Sequence, residues 1–132
     1  MQVVMNRIAN PAMKLLLRSP LHFLASSRVL LITVTGRKSG RRYTTPVEYL
    51  EHAGIVSIVS RTDRRWWKNL ESKRDVRLRL RGKIRSGVAT LYSRDQATIL
   101  SRLRRQYPRL SPEKAAELAK TRVIVEVALT EK

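Results

Sequence analysis

The sequence predicts a mainly β domain with added helices (α+β), built as a small antiparallel barrel of about six strands. Three observations lead there. Six strand-like runs recur along the 132 residues. Short turns join most of them, so that neighbours in sequence can pair as hairpins. The first run, 29–35, is apolar on both faces, as in a closed or covered sheet. Helical segments fall before, between and after the strands, in the order αα-βββ-α-ββ-αα-β. No internal repeat or linker interrupts the chain, so one domain over 1–132 is expected.

The elements follow in order. Residues 1–27 read as two short amphipathic helices, near 11–18 and 20–26. Asn10-Pro11 and Ser19-Pro20 each place an N-cap before a proline at the first helical position. Met13, Leu16, Leu17, Leu21 and Leu24 make an apolar face beside Lys14 and Arg18. Such a face packs over a barrel mouth or lies on a membrane surface. Strand 29–35 leads into the tip Gly36-Arg37-Lys38-Ser39-Gly40-Arg41-Arg42 and strand 42–50. Pro46 lacks an N–H and is expected at a bulge or a sheet edge. Residues 51–54 turn the chain into strand 55–60. Asp63 then caps a short helix through Trp66-Trp67-Lys68-Asn69-Leu70.

Strand 76–81 alternates with period two. Val76, Leu78 and Leu80 face inward, and Arg77, Arg79 and Arg81 outward. A turn at Gly82-Lys83 opens strand 84–92, where Gly87 signals a bulge or a close neighbour. Ser93 caps a helix over 94–106, which Tyr107-Pro108 ends. Ser111-Pro112-Glu113 starts another, to about 120, before a last strand over 121–127.

Composition narrows the chemistry. There is no cysteine, which removes disulfides, thiolate nucleophiles and cysteine-ligated zinc. Two histidines, His22 and His52, argue against a histidine-rich metal centre. The formal charge of +18 attracts polyanions, whether nucleic acid, anionic lipid or a charged cofactor. Eleven Lys or Arg against three acids lie within residues 61–85. The apolar residues near the start are broken by Arg7, Lys14 and Arg18, so neither a secretory signal nor a spanning helix is read. A cytoplasmic protein is expected, with the inner face of the membrane as a second location.

The tip at 36–42 is the strongest chemical signal. Gly36 and Gly40 can take positive φ, so the chain can turn tightly and present its N–H groups beside four cations and no acid. It reads either as an anion site or as a solvated basic hairpin.

Leu31-Ile32-Thr33-Val34-Thr35-Gly36-Arg37-Lys38-Ser39-Gly40, followed by a proline-containing strand, resembles the deazaflavin-dependent nitroreductase/quinone reductase family. Trp66-Trp67-Lys68-Asn69-Leu70 is similar to that family's W-x-x-N-L segment. Tyr107-Pro108 before a final strand also fits, and the resemblance runs from about residue 8 to 128. It implies a split β-barrel of the flavin-reductase/pyridoxamine-phosphate-oxidase type and binding of reduced coenzyme F-420, a deazaflavin with a phosphodiester and an oligoglutamate tail. It further implies that Arg37, Lys38 and Ser39 meet the phosphate, with Arg41 or Arg42 supplying a cation that the family carries where Tyr43 stands here. Val59, Ser60 and Arg61 would line the deazaflavin ring, joined by Trp66 and Asn69. The implied activity is hydride transfer to a quinone, enone or nitroaromatic.

Two further features depart from the family pattern: a shorter loop before Trp66, and Leu110 where some members carry a tyrosine. Both leave the acceptor open. Tyr43, Tyr49 and Tyr107 are candidate proton donors, with Tyr43 and Tyr107 preferred. Barrels of this type also pair across a sheet face, so a homodimer is one expected assembly. The rival readings are a basic small barrel binding single-stranded nucleic acid, the same barrel holding FMN or haem, and a non-catalytic membrane-surface protein anchored by 1–27. An aromatic content of 5% leaves few rings on which bases can stack, which counts against the first.

Overall fold

A computed structural model describes residues 28–71 and 74–130. The two helices expected within 1–27 lie outside the described residues. Six strands form one closed antiparallel barrel: β1 (Val29–Thr35), β2 (Arg42–His52), β3 (Ile55–Arg61), β4 (Asp75–Leu80), β5 (Lys83–Tyr92) and β6 (Arg122–Leu129). Their order around the barrel is β1-β2-β3-β6-β5-β4, with β4 closing back on β1. A short 3-10 helix, Trp66–Glu71, joins β3 to β4. Helices α1 (Gln96–Gln106) and α2 (Pro112–Ala119) lie between β5 and β6.

Period-two alternation fills the interior. Leu30, Ile32 and Val34 of β1 meet Val56 and Ile58 of β3, Leu78 and Leu80 of β4, and Val123, Val125 and Val127 of β6. Trp66, Trp67 and Leu70 of the 3-10 helix join the same core. A second, smaller cluster holds Ile99, Leu103, Ala119 and Ile124, where α1 and α2 cover the outer face of β6. Both faces of β6 are therefore buried, and its continuous apolar run follows from that.

Turn chemistry refines several boundaries. Strand β2 runs on to His52, and the turn is Ala53-Gly54, both at positive φ. The β4–β5 turn is likewise Arg81-Gly82, both at positive φ, so Arg81 lies in the turn rather than in the strand. Two consecutive left-handed residues match the right-handed twist of the strands they join. Helix α1 starts two residues later than expected. Its cap is Asp95, whose carboxylate accepts from the Thr98 N–H at 3.1 Å and from the Thr98 hydroxyl at 2.8 Å. Ser111 caps α2 as the sequence indicates, accepting from the Lys114 N–H. Asp63 caps nothing; it pairs with Arg61 at 2.7 Å.

Pro46 meets its expectation of an edge. The β2–β3 ladder begins at Glu48↔Val59, so residues 42–47 of β2 pair with β1 alone. The barrel wall opens along this stretch. Gly87 is a site of close approach: a Cβ there would overlap Val127 Cγ1 and crowd the Ala128 carbonyl.

Candidate active site

The expected site residues gather into two clusters joined by the segment 61–71. The first is the hairpin tip. Its closure is local: Gly36 N–H donates to the Arg41 carbonyl at 2.6 Å and Gly40 N–H to the Gly36 carbonyl at 3.0 Å. Gly40 takes positive φ as expected; Gly36 does not. Gly36 is needed for room, because a Cβ there would stand 2.6 Å from the Tyr43 ring. Ser39 Oγ accepts from the Arg41 N–H and shares a bond with the Tyr43 hydroxyl, both at 3.2 Å.

The tip is held by the 3-10 helix. Arg37 N–H donates to Asn69 Oδ1 at 3.0 Å, and the Arg37 guanidinium pairs with Glu71 at 3.3 Å. The amides of Gly36, Arg37, Gly40 and Arg41 are thus engaged. Those of Lys38 and Ser39 have no protein partner among the described residues. The Lys38 ammonium is also unpaired, and Lys38, Arg41 and Arg42 are exposed. Two free amides beside unpaired cations favour an anion.

The second cluster is a groove of about 1240 Å³ outside β2 and β3, bounded by the α1–α2 connection. Val59, Arg61 and Tyr107 line it, as does Leu110. Arg28, Arg64, Arg109 and Arg122 bring its arginines to five, against the single carboxylate of Glu48. Tyr107 donates to Glu48 Oε1 at 2.5 Å across 59 residues of sequence. Burial, then this bond, raises the Tyr107 phenol well above its ordinary value, so it keeps its proton. Burial also raises Tyr49, which lines the same groove. The buried Gln106 Oε1 has no hydrogen-bond partner among the described residues.

Ser60 and Trp66 are buried supports between the clusters. Trp66 Nε1 donates to Ser60 Oγ at 3.0 Å, and Trp67 Nε1 to the Arg61 carbonyl at 3.1 Å. These bonds fix the end of β3 against the 3-10 helix. Tyr43 and Tyr107 do not share a cavity: Tyr43 sits at the tip and Tyr107 in the groove.

Sequence reasoning missed Glu48, Arg64, Gln106, Arg109 and Arg122. A partial signal existed for Arg64, which follows Arg61 by three residues in a segment leaving a strand. The others meet only through the packing of the α1–α2 connection over β2 and β3.

The residues present fit a polyanionic, ring-bearing ligand. A large groove with five arginines is linked through the segment 61–71 to a tip with free amides. Among the described residues, no group of His, Asp and Glu suits a metal ion. No helix there is long and apolar enough to cross a membrane.

Comparison with known proteins agrees with this fit. The chain is similar to a solved F420-H2-dependent reductase, FDR-A, at 20% identity, covering 76% of this chain and 93% of that one with a TM-score of 0.56. It is similar to a solved F420 reductase at 15% identity, with 79% and 87% coverage and a TM-score of 0.51. It also matches HutZ, the haem storage protein of Vibrio cholerae, at 12% identity, with 87% and 92% coverage and a TM-score of 0.58. At these identities the structures establish the fold, a split barrel of the flavin-reductase/pyridoxamine-oxidase type. None of the curated proteins compared matches the chain. The family model for F420H(2)-dependent quinone reductase matches residues 19–130, and the chain belongs to that family of F420-dependent oxidoreductases.

Proposed function

We propose that this protein uses reduced coenzyme F-420 to reduce a small electrophilic acceptor, a quinone, enone or nitroaromatic. The observation that carries the reading is the continuity of the basic track. Asn69 ties the tip to the same segment whose Arg61 and Arg64 line the groove. Lys38 and the amides of Lys38 and Ser39 would hold the phosphate, with Arg41 and Arg42 beside them. The groove would take the deazaflavin and the acceptor, and its arginines the carboxylates of the tail.

When bound, the reduced deazaflavin supplies a hydride, and the protein's own task is position, charge and exclusion of water. Arg61 is held for this by Asp63 at 2.7 Å. Val59, Leu110 and Leu118 give the groove an apolar wall against which a flat ring can pack. Tyr107 lines the groove and keeps its proton in a bond to Glu48, so it would serve a reduced acceptor oxygen only by turning its hydroxyl from that carboxylate. Tyr43 is placed to steady the tip through Ser39 and belongs to the binding of the phosphate.

The test is a fluorescence titration of the wild type and Lys38→Ala with oxidised coenzyme F-420 at low salt. Saturable binding is expected, weakened about tenfold by the substitution, as for loss of one exposed charged contact. Oxidation of the reduced coenzyme by a quinone series then identifies the acceptor. No binding at low salt overturns the reading, and the visible absorbance of the purified protein would then separate an FMN or haem barrel from an empty one.

A further inference from the structure

We propose that the outer face of β4 and β5 docks this protein on an anionic lipid bilayer. Three large hydrophobic residues are exposed among the described residues, and two of them, Ile84 (55%) and Val88 (42%), lie four apart on the outer face of β5. The register sets Ile84 opposite Arg79, Ser86 opposite Arg77 and Val88 opposite Asp75. Paired residues on one sheet face stand side by side, so aliphatic and cationic groups form one patch.

Arg77 and Arg79 are among the described arginines whose side chains hold no carboxylate. Arg37, Arg61, Arg81 and Arg102 each hold a carboxylate. The Arg77 and Arg79 guanidiniums make no hydrogen bond or ion pair among the described residues. Between them lies a small cavity of about 230 Å³, bordered by Thr33, Thr44 and Ile84. Thr33 and Thr44 share one hydroxyl bond at 2.8 Å, which uses one of their two O–H donors and leaves the other. Two guanidiniums and a hydroxyl donor around a small hollow suit a phosphate group. The aliphatic side chains next to it suit acyl chains just below that depth.

Other occupants fit this face less well. A second copy would bring two strongly basic surfaces together. A nucleic acid strand would look for aromatic rings to stack on, and the one exposed aromatic among the described residues, Tyr43, is at the hairpin tip. A bilayer uses both halves of the patch. The proposal does not depend on which acceptor the groove reduces.

The test is co-sedimentation of the full chain with phosphatidylcholine vesicles, with and without phosphatidylglycerol. Binding is expected only with the anionic lipid. Arg77→Gln with Arg79→Gln should weaken it about 25-fold, at roughly fivefold per cation near the surface. Ile84→Ser with Val88→Ser should weaken it about tenfold at unchanged charge. Arg104→Gln with Arg105→Gln, in the last turn of α1, removes the same charge elsewhere and should change it little. A loss as large in that control means that diffuse charge does the binding, and the proposal fails. It also fails if the wild type ignores anionic vesicles. It fails equally if Ile84→Ser with Val88→Ser dissolves a dimer in sedimentation velocity, or if Arg77→Gln with Arg79→Gln weakens a single-stranded oligonucleotide and not the vesicles.

Discussion

Asn69 Oδ1 accepts the Arg37 backbone N–H at 3.0 Å, tying the tip of the β1–β2 hairpin to a 3-10 helix 32 residues later in the chain. The other end of the same amide donates to the Trp66 carbonyl at 3.1 Å. One side chain thus fixes the loop to a helix anchored in the core by Trp66, Trp67 and Leu70. A basic tip without this tie would sample many positions, and ordering it on binding would cost affinity.

Asn69→Ala should therefore weaken oxidised F-420 binding about tenfold and lower stability by ~1–2 kcal/mol, the worth of two hydrogen bonds. Asn69→Asp keeps the acceptor for Arg37 but sets a carboxylate oxygen against the Trp66 carbonyl and adds negative charge beside the tip, so it should not restore the affinity. Fluorescence titration and chemical denaturation give the two quantities. Unchanged affinity in Asn69→Ala would mean that the tip orders itself without the helix.

Gly36 offers a steric test of the same loop. Its backbone is one that alanine adopts, yet a methyl group would meet the Tyr43 ring. Gly36→Ala should cost ~1–3 kcal/mol through this overlap. Tyr43→Ser removes the ring and should restore much of that loss in the double variant. The two costs are non-additive because the side chains are in contact. Strict additivity in thermal denaturation would place the cause elsewhere.

The fold was legible because its signals are local and repeated. Period-two burial in 76–80 and the apolar run of 29–35 report the barrel interior directly. Gly87 announced a close neighbour, and Val127 is that neighbour. Helix starts were harder where two caps compete. Ser93 and Asp95 both suit the start of α1, and the carboxylate wins by engaging both the amide and the hydroxyl of Thr98. The tip was legible as a basic turn, because glycine, serine and cations are contiguous there. Half of the groove was not. Glu48 and Tyr107 are 59 residues apart, and nothing in the neighbourhood of either names the other. Asn69 was read as a candidate cofactor ligand through resemblance, and its partners Arg37 and Trp66 show what the folded chain asks of it.

Tyr107 should leave a mark on the alkaline side of the stability curve. Its phenol is raised above 10.0 in the folded protein by burial and by Glu48. The stabilisation it gives is fully present below pH 10, where both states hold the proton. It is lost as pH climbs from there toward the folded pKa, because only the unfolded chain gives up its proton. The slope is at most ~1.4 kcal/mol per pH unit for one proton. Tyr107→Phe should flatten this limb, and ultraviolet titration should lose its last tyrosinate phase. Glu48→Gln keeps an acceptor but removes the charge, and should bring that phase to lower pH. A late phase that survives Tyr107→Phe would belong to Tyr49, whose phenol is also raised by burial.

The pair Arg102–Glu126 fastens α1 to β6 and is the most enclosed ion pair among the described residues, with side chains 23% and 15% exposed. The bond to Glu126 raises the Arg102 pKa further, so the guanidinium stays charged whatever the partner does. Glu126 faces outward from β6, in register with Ser57 of β3 and Thr90 of β5. Ser57 Oγ, opposite Glu126 in register, is buried with no hydrogen-bond partner among the described residues, and it offers an orphaned Arg102 only a neutral acceptor in place of a carboxylate. Glu126→Ala should then cost ~1.5–3 kcal/mol, the range for a charged hydrogen bond broken from one side. Replacing both partners, Arg102→Met with Glu126→Leu, removes the stranded charge together with the bond and should cost less than Glu126→Ala alone. Neither Arg102 nor Glu126 lines the groove, so coenzyme affinity should track α1 docking only if Tyr107, at the end of α1, moves with the helix. Measuring both stability and F-420 affinity in the two variants decides this. Weak binding in Glu126→Ala with recovery in the double variant would make helix docking part of the site. Equal affinity in both would confine the pair to stability.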